Sequence, residues 1–168
     1  MGTGIDFGIN FRDITQKDFK LLEKWYGLTQ YFGYATGFKD FSEILGIVLQ
    51  PDRPDRIIRL IDMERDGKAI GFIYAEVKIR EPKPILWIYI LIIEPDFQKK
   101  GFGTRAVNKL LNSVKSQYGS LICIAAVSDK NRKGLSFWQK AGFMRSSDME
   151  KYLGHIGSPH VAILFKEI

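Results

Sequence analysis

The sequence predicts an α/β (α+β) fold with one mixed, mostly antiparallel sheet and helices on both of its faces. An Asp66-Gly67 hairpin signal separates two apolar strand segments, 57–64 and 69–78, which makes these two strands antiparallel. Further on, the continuously apolar segments 85–93 and 121–127 have the composition of strands that are covered on both faces. The helix predicted between them implies a right-handed crossover and parallel pairing.

A strand and two helices are predicted before the hairpin. Alternating apolar residues predict a strand over 9–13, and Thr15-Gln16-Lys17-Asp18 is a capping box that begins a helix. We interpret the Gly- and aromatic-rich segment 32–37 as a loop and predict a second short helix over 40–49. The connector 50–56, with its two prolines, then leads into the first hairpin strand.

Two helices and a last pair of strands are predicted in the C-terminal part. Residues 103–118 carry apolar side chains at helical spacing. A further helix over 131–141 begins at the capping residue Asn131 and ends before Gly142. The segments 143–153 and 161–166 are predicted to pair as strands across the loop 154–160, which contains His155 and His160.

The composition is that of a single globular domain, which we expect to span residues 1–168. Apolar residues make up 45% of the chain and charged residues 26%, which excludes a largely disordered protein. The formal net charge of +6 favours an anionic partner, and a phosphorylated cofactor, nucleic acid or a membrane surface would each satisfy that preference.

Cysteine and histidine usage excludes further classes of protein. Because Cys123 is the single cysteine, no intrachain disulfide can form, and a reducing compartment, the cytoplasm, is expected. One cysteine and two histidines cannot build a zinc site of the usual kind, so no metal is expected. The longest apolar run, 85–93, is far shorter than the roughly 20 residues that span a bilayer, so no membrane partner is expected.

A glycine-containing turn lies between the most apolar predicted strand and the most regular predicted helix. Glycines at 101 and 103 let backbone N–H groups approach a ligand closely, and the following helix offers unpaired N–H groups and a partial positive charge. A strand, a glycine turn and a helix in this order can bind a diphosphate. The chain has no Walker A loop, and Ala106 stands where the dinucleotide fingerprint has its third glycine.

A second motif follows the glycine turn at a distance. Gln98 stands three residues before Gly101, and downstream come Asn131 and the run Lys140-Ala141-Gly142-Phe143. With these two motifs in this order, the chain resembles the GNAT superfamily of N-acetyltransferases. The resemblance implies a splayed parallel strand pair at the centre of the sheet. It also implies acetyl-CoA as cosubstrate and direct attack of a primary amine, on a small molecule or a protein, in a ternary complex.

The resemblance also assigns the cofactor-binding positions. The strand beside the opening would pair with the pantetheine arm, the glycine turn would hold the pyrophosphate, and an asparagine would bind the arm. In this sequence the cofactor-binding positions are Leu91, Ile92, Ile93, Gln98, Lys99, Lys100, Gly101, Phe102, Gly103, Thr104, Asn131 and Trp138.

The sequence departs from the family where a general acid or base is usual. Trp138 stands where many relatives have a tyrosine that protonates the thiolate, and indole is not an acid at neutral pH. Another common base position falls on Ala126. Tyr89, on the central strand, is therefore the first candidate for a catalytic residue and Ser128 the second.

Two other functions remain open from the sequence. These departures suggest, as an alternative, a non-catalytic CoA-binding sensor or scaffold of the same fold. The charge allows a basic nucleic-acid-binding module, but the basic residues are spread along the chain without a recognised motif, so nucleic acid is not the expected partner. A homodimer through the C-terminal edge of the sheet is compatible with the sequence.

Overall fold

The computed structural model describes residues 7–153 and 160–168, and within them seven strands form one sheet in the order β1-β2-β3-β4-β5-β7-β6. The strands are β1 (Ile9–Arg12), β2 (Arg56–Met63), β3 (Ala69–Lys78), β4 (Ile85–Ile93), β5 (Ile122–Ser128), β6 (Met144–Arg145) and β7 (Val161–Glu167). Every neighbouring pair is antiparallel except β4 and β5, which are parallel. The predicted fold class, a mixed and mostly antiparallel sheet, is confirmed.

Helices cover both faces of this sheet. They are α1 (Phe19–Gly27), α2 (Thr29–Thr36), α3 (Phe41–Val48), α4 (Phe102–Tyr118), α5 (Arg132–Lys140) and α6 (Ser147–Leu153). The apolar stripe of α4 and the ring of Trp138 on α5 pack on one face, against a core that includes Leu86 and Ile88. Helices α1 to α3 pack on the other face, where Trp25 is fully buried. Burial of these two apolar faces is the main force that holds the layers together.

The two central strands separate part of the way along their length. β4 pairs with β5 from Ile85, opposite Ile122, as far as Ile88, opposite Ala125. On its other side β4 stays paired with β3, but Tyr74 lies opposite Ile90 while Ala75 lies opposite Ile88. Tyr89 is therefore an extra residue without a partner, which is a β-bulge. The splayed parallel pair that the resemblance implied is present, and it opens at Tyr89.

The prediction of a loop over 32–37 is wrong. The segment is most of α2, which ends at Gly37 in the left-handed conformation. Gly33 lies on the buried side of this helix, where the ring of Phe38 packs so closely that a Cβ atom would collide with it. The glycines in this segment therefore end the helix and admit a ring rather than form a loop.

The prediction of a strand over 143–153 is also wrong for most of its length. Only Met144 and Arg145 pair with β7, and α6 begins directly afterwards. The Ser146 hydroxyl accepts a hydrogen bond from the N–H of Met149 at 3.2 Å, which is an N-terminal helix cap. The cap ends the strand. The loop predicted over 154–160, with His155, lies outside the described residues except for residue 160.

An ionic network connects the edge strand β1 to the start of α1. Arg12 donates to Asp62 at 2.6 Å and to both carboxylate oxygens of Asp18 at 3.0 and 3.1 Å. Burial alone raises the pKa of Asp18, but the hydrogen bonds from Arg12 and Thr15 outweigh it and hold this pKa below its usual value. Within 7–153 and 160–168, no helix is long and apolar enough to cross a membrane.

Candidate active site

The glycine turn occupies the end of β4 and the start of α4. A short 3₁₀ turn, Pro95–Phe97, follows the strand, and Gly101 adopts φ 85°, a left-handed conformation that favours glycine. Among the described residues, the backbone N–H groups of 101–104 have no hydrogen-bond acceptor. Unpaired N–H groups at the start of a helix, together with the helix dipole, suit an anionic ligand.

The side chains of this turn have different roles. A Cβ atom at Gly101 would meet no atom within 4 Å, so the space beside it is open. A Cβ atom at Gly103 would lie 2.9 Å from the ring of Phe137, so this glycine lets α5 approach α4. Phe102 is buried in the core, and Thr104 is exposed. Phe102 therefore presents only its backbone to a ligand, as Gly101 and Gly103 do.

Three lysines surround the turn. Lys99 and Lys100 are exposed, and the Lys100 ammonium donates to the carbonyl of Asp96 at 2.7 Å. The ammonium groups of Lys68 and Lys100 lie 4.8 and 5.6 Å from the centre of the Phe97 ring. Lys68 comes from the β2–β3 hairpin. No local sequence signal connects it to the turn, so the sequence analysis missed it.

The strand edge beside the opening has free backbone groups. The N–H of Glu94 donates to Ile70 on β3, and successive residues of a strand point to opposite edges. The backbone groups of Leu91 and Ile93 therefore face the opening, and those of Ile92 face β3. The Gln98 amide donates to the Ile93 carbonyl at 2.8 Å, so its side chain braces the end of the strand.

Asn131 is the N-terminal cap of α5. Its side-chain oxygen accepts the N–H of Gly134 at 2.9 Å, and within the described chain its amide nitrogen donates to no protein group. A Cβ atom at Gly134 would collide with this amide, so that glycine makes room for it. The arrangement leaves two amide hydrogens for a ligand.

Tyr89, the bulge residue, lies on the sheet face that carries α1 to α3. Its side chain is 40% exposed, and its ring lies 5.0 Å from the ring of Tyr74 and 6.1 Å from that of Trp87. The Tyr74 hydroxyl donates to the carboxylate of Glu76 at 2.7 Å. Burial and this carboxylate raise the pKa of Tyr74, so its phenol stays protonated.

The sequence does not predict Tyr74 and Glu76 as members of this site. They alternate on β3, so their shared face could be predicted, but their position beside Tyr89 depends on the register of β3 against β4. That register contains the bulge, which no local sequence signal predicts.

The remaining predicted residues lie elsewhere around the opening. Ser128 is at the end of β5, where its hydroxyl accepts the N–H of Lys130 at 3.3 Å. Ala126 is exposed on β5, just beyond the last residue paired with β4. Trp138 is 8% exposed and packs edge-on against Phe143 at 4.8 Å, which is a core position. The catalytic role of Ser128 and the ligand-binding role of Trp138 stay predictions.

Metal ligands and the single cysteine can also be located in the structure. Across the described residues, no cluster of three or more His, Cys, Asp and Glu side chains could hold a metal ion. Cys123 is buried mid-strand, and burial raises the pKa of its thiol to about 12. This thiol is therefore not a nucleophile at neutral pH.

Comparison with known proteins agrees with this geometry. Residues 19–143 match the model of the acetyltransferase (GNAT) family. A Methanocaldococcus jannaschii protein, named as an uncharacterized N-acetyltransferase, is 26% identical over 93 residues, which cover 54% of this chain and 41% of that protein. The chain thus spans less than half the length of this curated relative.

Solved structures share the fold at low sequence identity. A domain from Methanocaldococcus jannaschii superposes with a TM-score of 0.73 at 17% identity, covering 97% of this chain and 100% of that one. Spermidine N-acetyltransferase from Vibrio cholerae, solved with CoA and spermine, superposes with a TM-score of 0.67 at 14% identity, covering 95% and 94%. The family match extends over most of the chain, and the splayed strand pair and the glycine turn are in place. The chain belongs to the acetyltransferase (GNAT) family.

Proposed function

We propose that this protein is an acetyl-CoA-dependent N-acetyltransferase that transfers the acetyl group to a primary amine by direct attack in a ternary complex. The observation that carries the proposal is the opening between β4 and β5, which leads to the unpaired N–H groups at the start of α4. An extended amide chain can pair with a free strand edge, and a diphosphate can accept from a helix N-terminus. Both features lie at the same end of β4.

The residues present fit CoA. The backbone groups of Leu91 and the N–H of Ile93 would pair with the amides of the pantetheine arm, since Gln98 already donates to the Ile93 carbonyl. The free amide of Asn131 would donate to the same arm. The N–H groups of 101–104 would bind the pyrophosphate, with Lys99 and Lys100 adding positive charge. The Vibrio cholerae structure of the same fold contains CoA, which supports CoA as the ligand.

The reaction requires two groups of the protein, a donor to the acetyl carbonyl and a group that exchanges the amine's proton. Acetyl-CoA, when bound, supplies an acetyl thioester that is activated toward an amine. An N–H group at the free edge of β4 would polarise the acetyl carbonyl, as an oxyanion donor does. The acceptor amine must be neutral to attack; as its nitrogen bonds to the acetyl carbon, the carbon–sulfur bond would break, and the proton that the amine loses would go to the departing thiolate. Tyr89 at the bulge is the hydroxyl that we place to exchange this proton, with Ser128 as the second candidate.

Binding of the cosubstrate is the first test. We expect acetyl-CoA and CoA, but not ATP or NAD at equal concentration, to raise the melting temperature. A ligand at a hundredfold over its Kd adds about 2.7 kcal/mol to the free energy of unfolding. Thiol release in the presence of a panel of primary amines then measures turnover. No stabilisation by acetyl-CoA or CoA would contradict the proposal.

A second candidate function is a CoA-binding sensor, favoured by Trp138 and Ala126 at the usual acid and base positions. Stabilisation by CoA without thiol release from any amine would support it over the enzyme. A cytoplasmic location rests on the single cysteine and stays a prediction.

A further inference from the structure

An aromatic surface extends from the bulge across the sheet. We call Tyr74, Trp87 and Tyr89 the acceptor face. The rings of Trp87 and Tyr89 are stacked within 11° of parallel, and those of Tyr74 and Tyr89 are tilted by 30°. Tyr89 is among the exposed large hydrophobic side chains, and Trp87 is half-buried. The three rings pack on one another, so a further ring can pack only against the parts that stay exposed, above all at Tyr89.

The acceptor face is continuous with the opening. Tyr89 is itself the bulge residue, at the point where β4 leaves β5. On the other side of the opening, β5 presents the exposed methyl group of Ala126 just beyond Ala125, the last paired residue. A molecule stacked on Tyr89 therefore has a path to the opening past a small side chain.

The charges around the acceptor face disfavour a polycation. The carboxylate of Glu76 lies beside these rings and already accepts a hydrogen bond from the Tyr74 hydroxyl. Lys78 places its ammonium 5.9 Å from the centre of the Tyr89 ring, and Arg56 lies opposite Glu76 on β2. Arg53 also lies near Glu76, but it pairs with Asp55 at 2.7 Å. Lys78 and Arg56, which form no ion pair within the described chain, therefore outnumber the remaining carboxylate, Glu76. A second or third ammonium group on the acceptor would be repelled.

We propose that the acceptor face selects a monoamine whose body is a planar, uncharged ring, packed against the exposed parts of Trp87 and Tyr89 with its amine directed to the opening. The inference rests on the proposed function and adds the class of acceptor. It places the specificity in the stacked rings and in the positive charge around Glu76. Polyamines are excluded by that charge.

Three amines test the inference directly. 2-Phenylethylamine has the ring, 2-cyclohexylethylamine has the same carbon skeleton without planarity, and spermidine is a polycation. We expect kcat/KM for 2-phenylethylamine to exceed that for 2-cyclohexylethylamine by about threefold to tenfold, the range of an aromatic pair. The kcat/KM for 2-phenylethylamine should exceed that for spermidine by a larger factor. Equal values for the two ring amines, or a higher value for spermidine, would overturn the inference.

Variants of the acceptor face show which of its residues determine the preference for a ring amine. Trp87→Leu should raise KM for 2-phenylethylamine about threefold to tenfold and leave the Kd of acetyl-CoA unchanged. Tyr89→Phe keeps the ring and loses the hydroxyl, so kcat should fall while KM stays. The matched control is Tyr152→Leu, an exposed tyrosine on α6 that is 82% exposed, for which no kinetic constant should change. An unchanged KM in folded Trp87→Leu would count against stacking.

The outcomes separate this inference from the proposed function. Binding of acetyl-CoA with turnover of spermidine alone would overturn the acceptor class and leave the acetyltransferase in place. Binding of acetyl-CoA without turnover of 2-phenylethylamine would also overturn the acceptor class. Absence of acetyl-CoA binding would overturn the proposed function and the inference together.

Discussion

Substitution of Gly101 by alanine tests the anion-binding turn. Gly101 holds φ 85° and ψ −1°, and a Cβ atom there would meet nothing within 4 Å. The substitution therefore introduces backbone strain without a steric clash. The left-handed conformation costs an alanine about 1–2 kcal/mol relative to glycine.

The cost should appear in the affinity for acetyl-CoA. Lys99 to Gly101 are exposed, so we expect the turn to relax to a negative φ in the free Gly101→Ala variant. Binding must then restore the left-handed conformation that aligns the N–H groups. A cost of 1–2 kcal/mol, at 1.4 kcal/mol per tenfold, predicts a Kd for acetyl-CoA that is about fivefold to thirtyfold higher.

Gly37→Ala is the matched control. Gly37 ends α2 in the same left-handed conformation, at φ 65°, and a Cβ atom there would make only an ordinary contact at 3.9 Å. The variant should lose about 1–2 kcal/mol of folding free energy and keep the acetyl-CoA affinity. Calorimetric titration gives Kd and urea denaturation gives stability. An unchanged Kd in folded Gly101→Ala would refute the assignment of this turn to the pyrophosphate.

Three further predictions concern the cap of α5, the ionic network and the buried thiol. Asn131→Asp keeps the oxygen that caps α5 and loses the amide hydrogens, so stability should stay within about 0.5 kcal/mol of wild type. Its Kd for acetyl-CoA should rise about tenfold in calorimetry, and an unchanged Kd would show that the residue only caps the helix. Because the folded-state pKa of Asp18 is lowered, its stabilisation is present above the unfolded value of 3.8 and is lost as pH falls through the folded value. Arg12→Ala removes the ion pairs of Asp18 and Asp62 and should lower the free energy of unfolding by about 2–3 kcal/mol near pH 7. In urea denaturation, the stability of the variant should then fall less as the pH is lowered. An unchanged loss of stability at low pH would exclude the network as its source. Since burial raises the pKa of Cys123 to about 12, iodoacetamide at pH 8 should modify the unfolded but not the native protein, as mass spectrometry can show. Fast modification of the native protein would contradict the burial of this thiol.

The local patterns in the sequence were sufficient for most of the secondary structure. The Asp-Gly turn and the apolar runs predicted β3 and β4 with the bounds observed, and the apolar stripe predicted α4 within one residue. These features depend on neighbours two to four residues apart, which a single sequence displays. The secondary-structure predictions were wrong where a glycine makes room for tertiary packing or a serine caps a helix. Gly33 in α2 and Ser146 before α6 were such residues.

The sequence by itself determined the glycine turn, the cap residue and the family resemblance, because each is a short pattern with a local physical cause. The tertiary structure decided where the sheet opens and what surrounds the opening. The bulge at Tyr89 depends on the register between β3 and β4, which the packing of both sheet faces selects together. That register brings Tyr74 and Glu76 beside Tyr89, and the β2–β3 hairpin brings Lys68 to Phe97. Such contacts join residues far apart in the chain, so only the folded sheet reveals them.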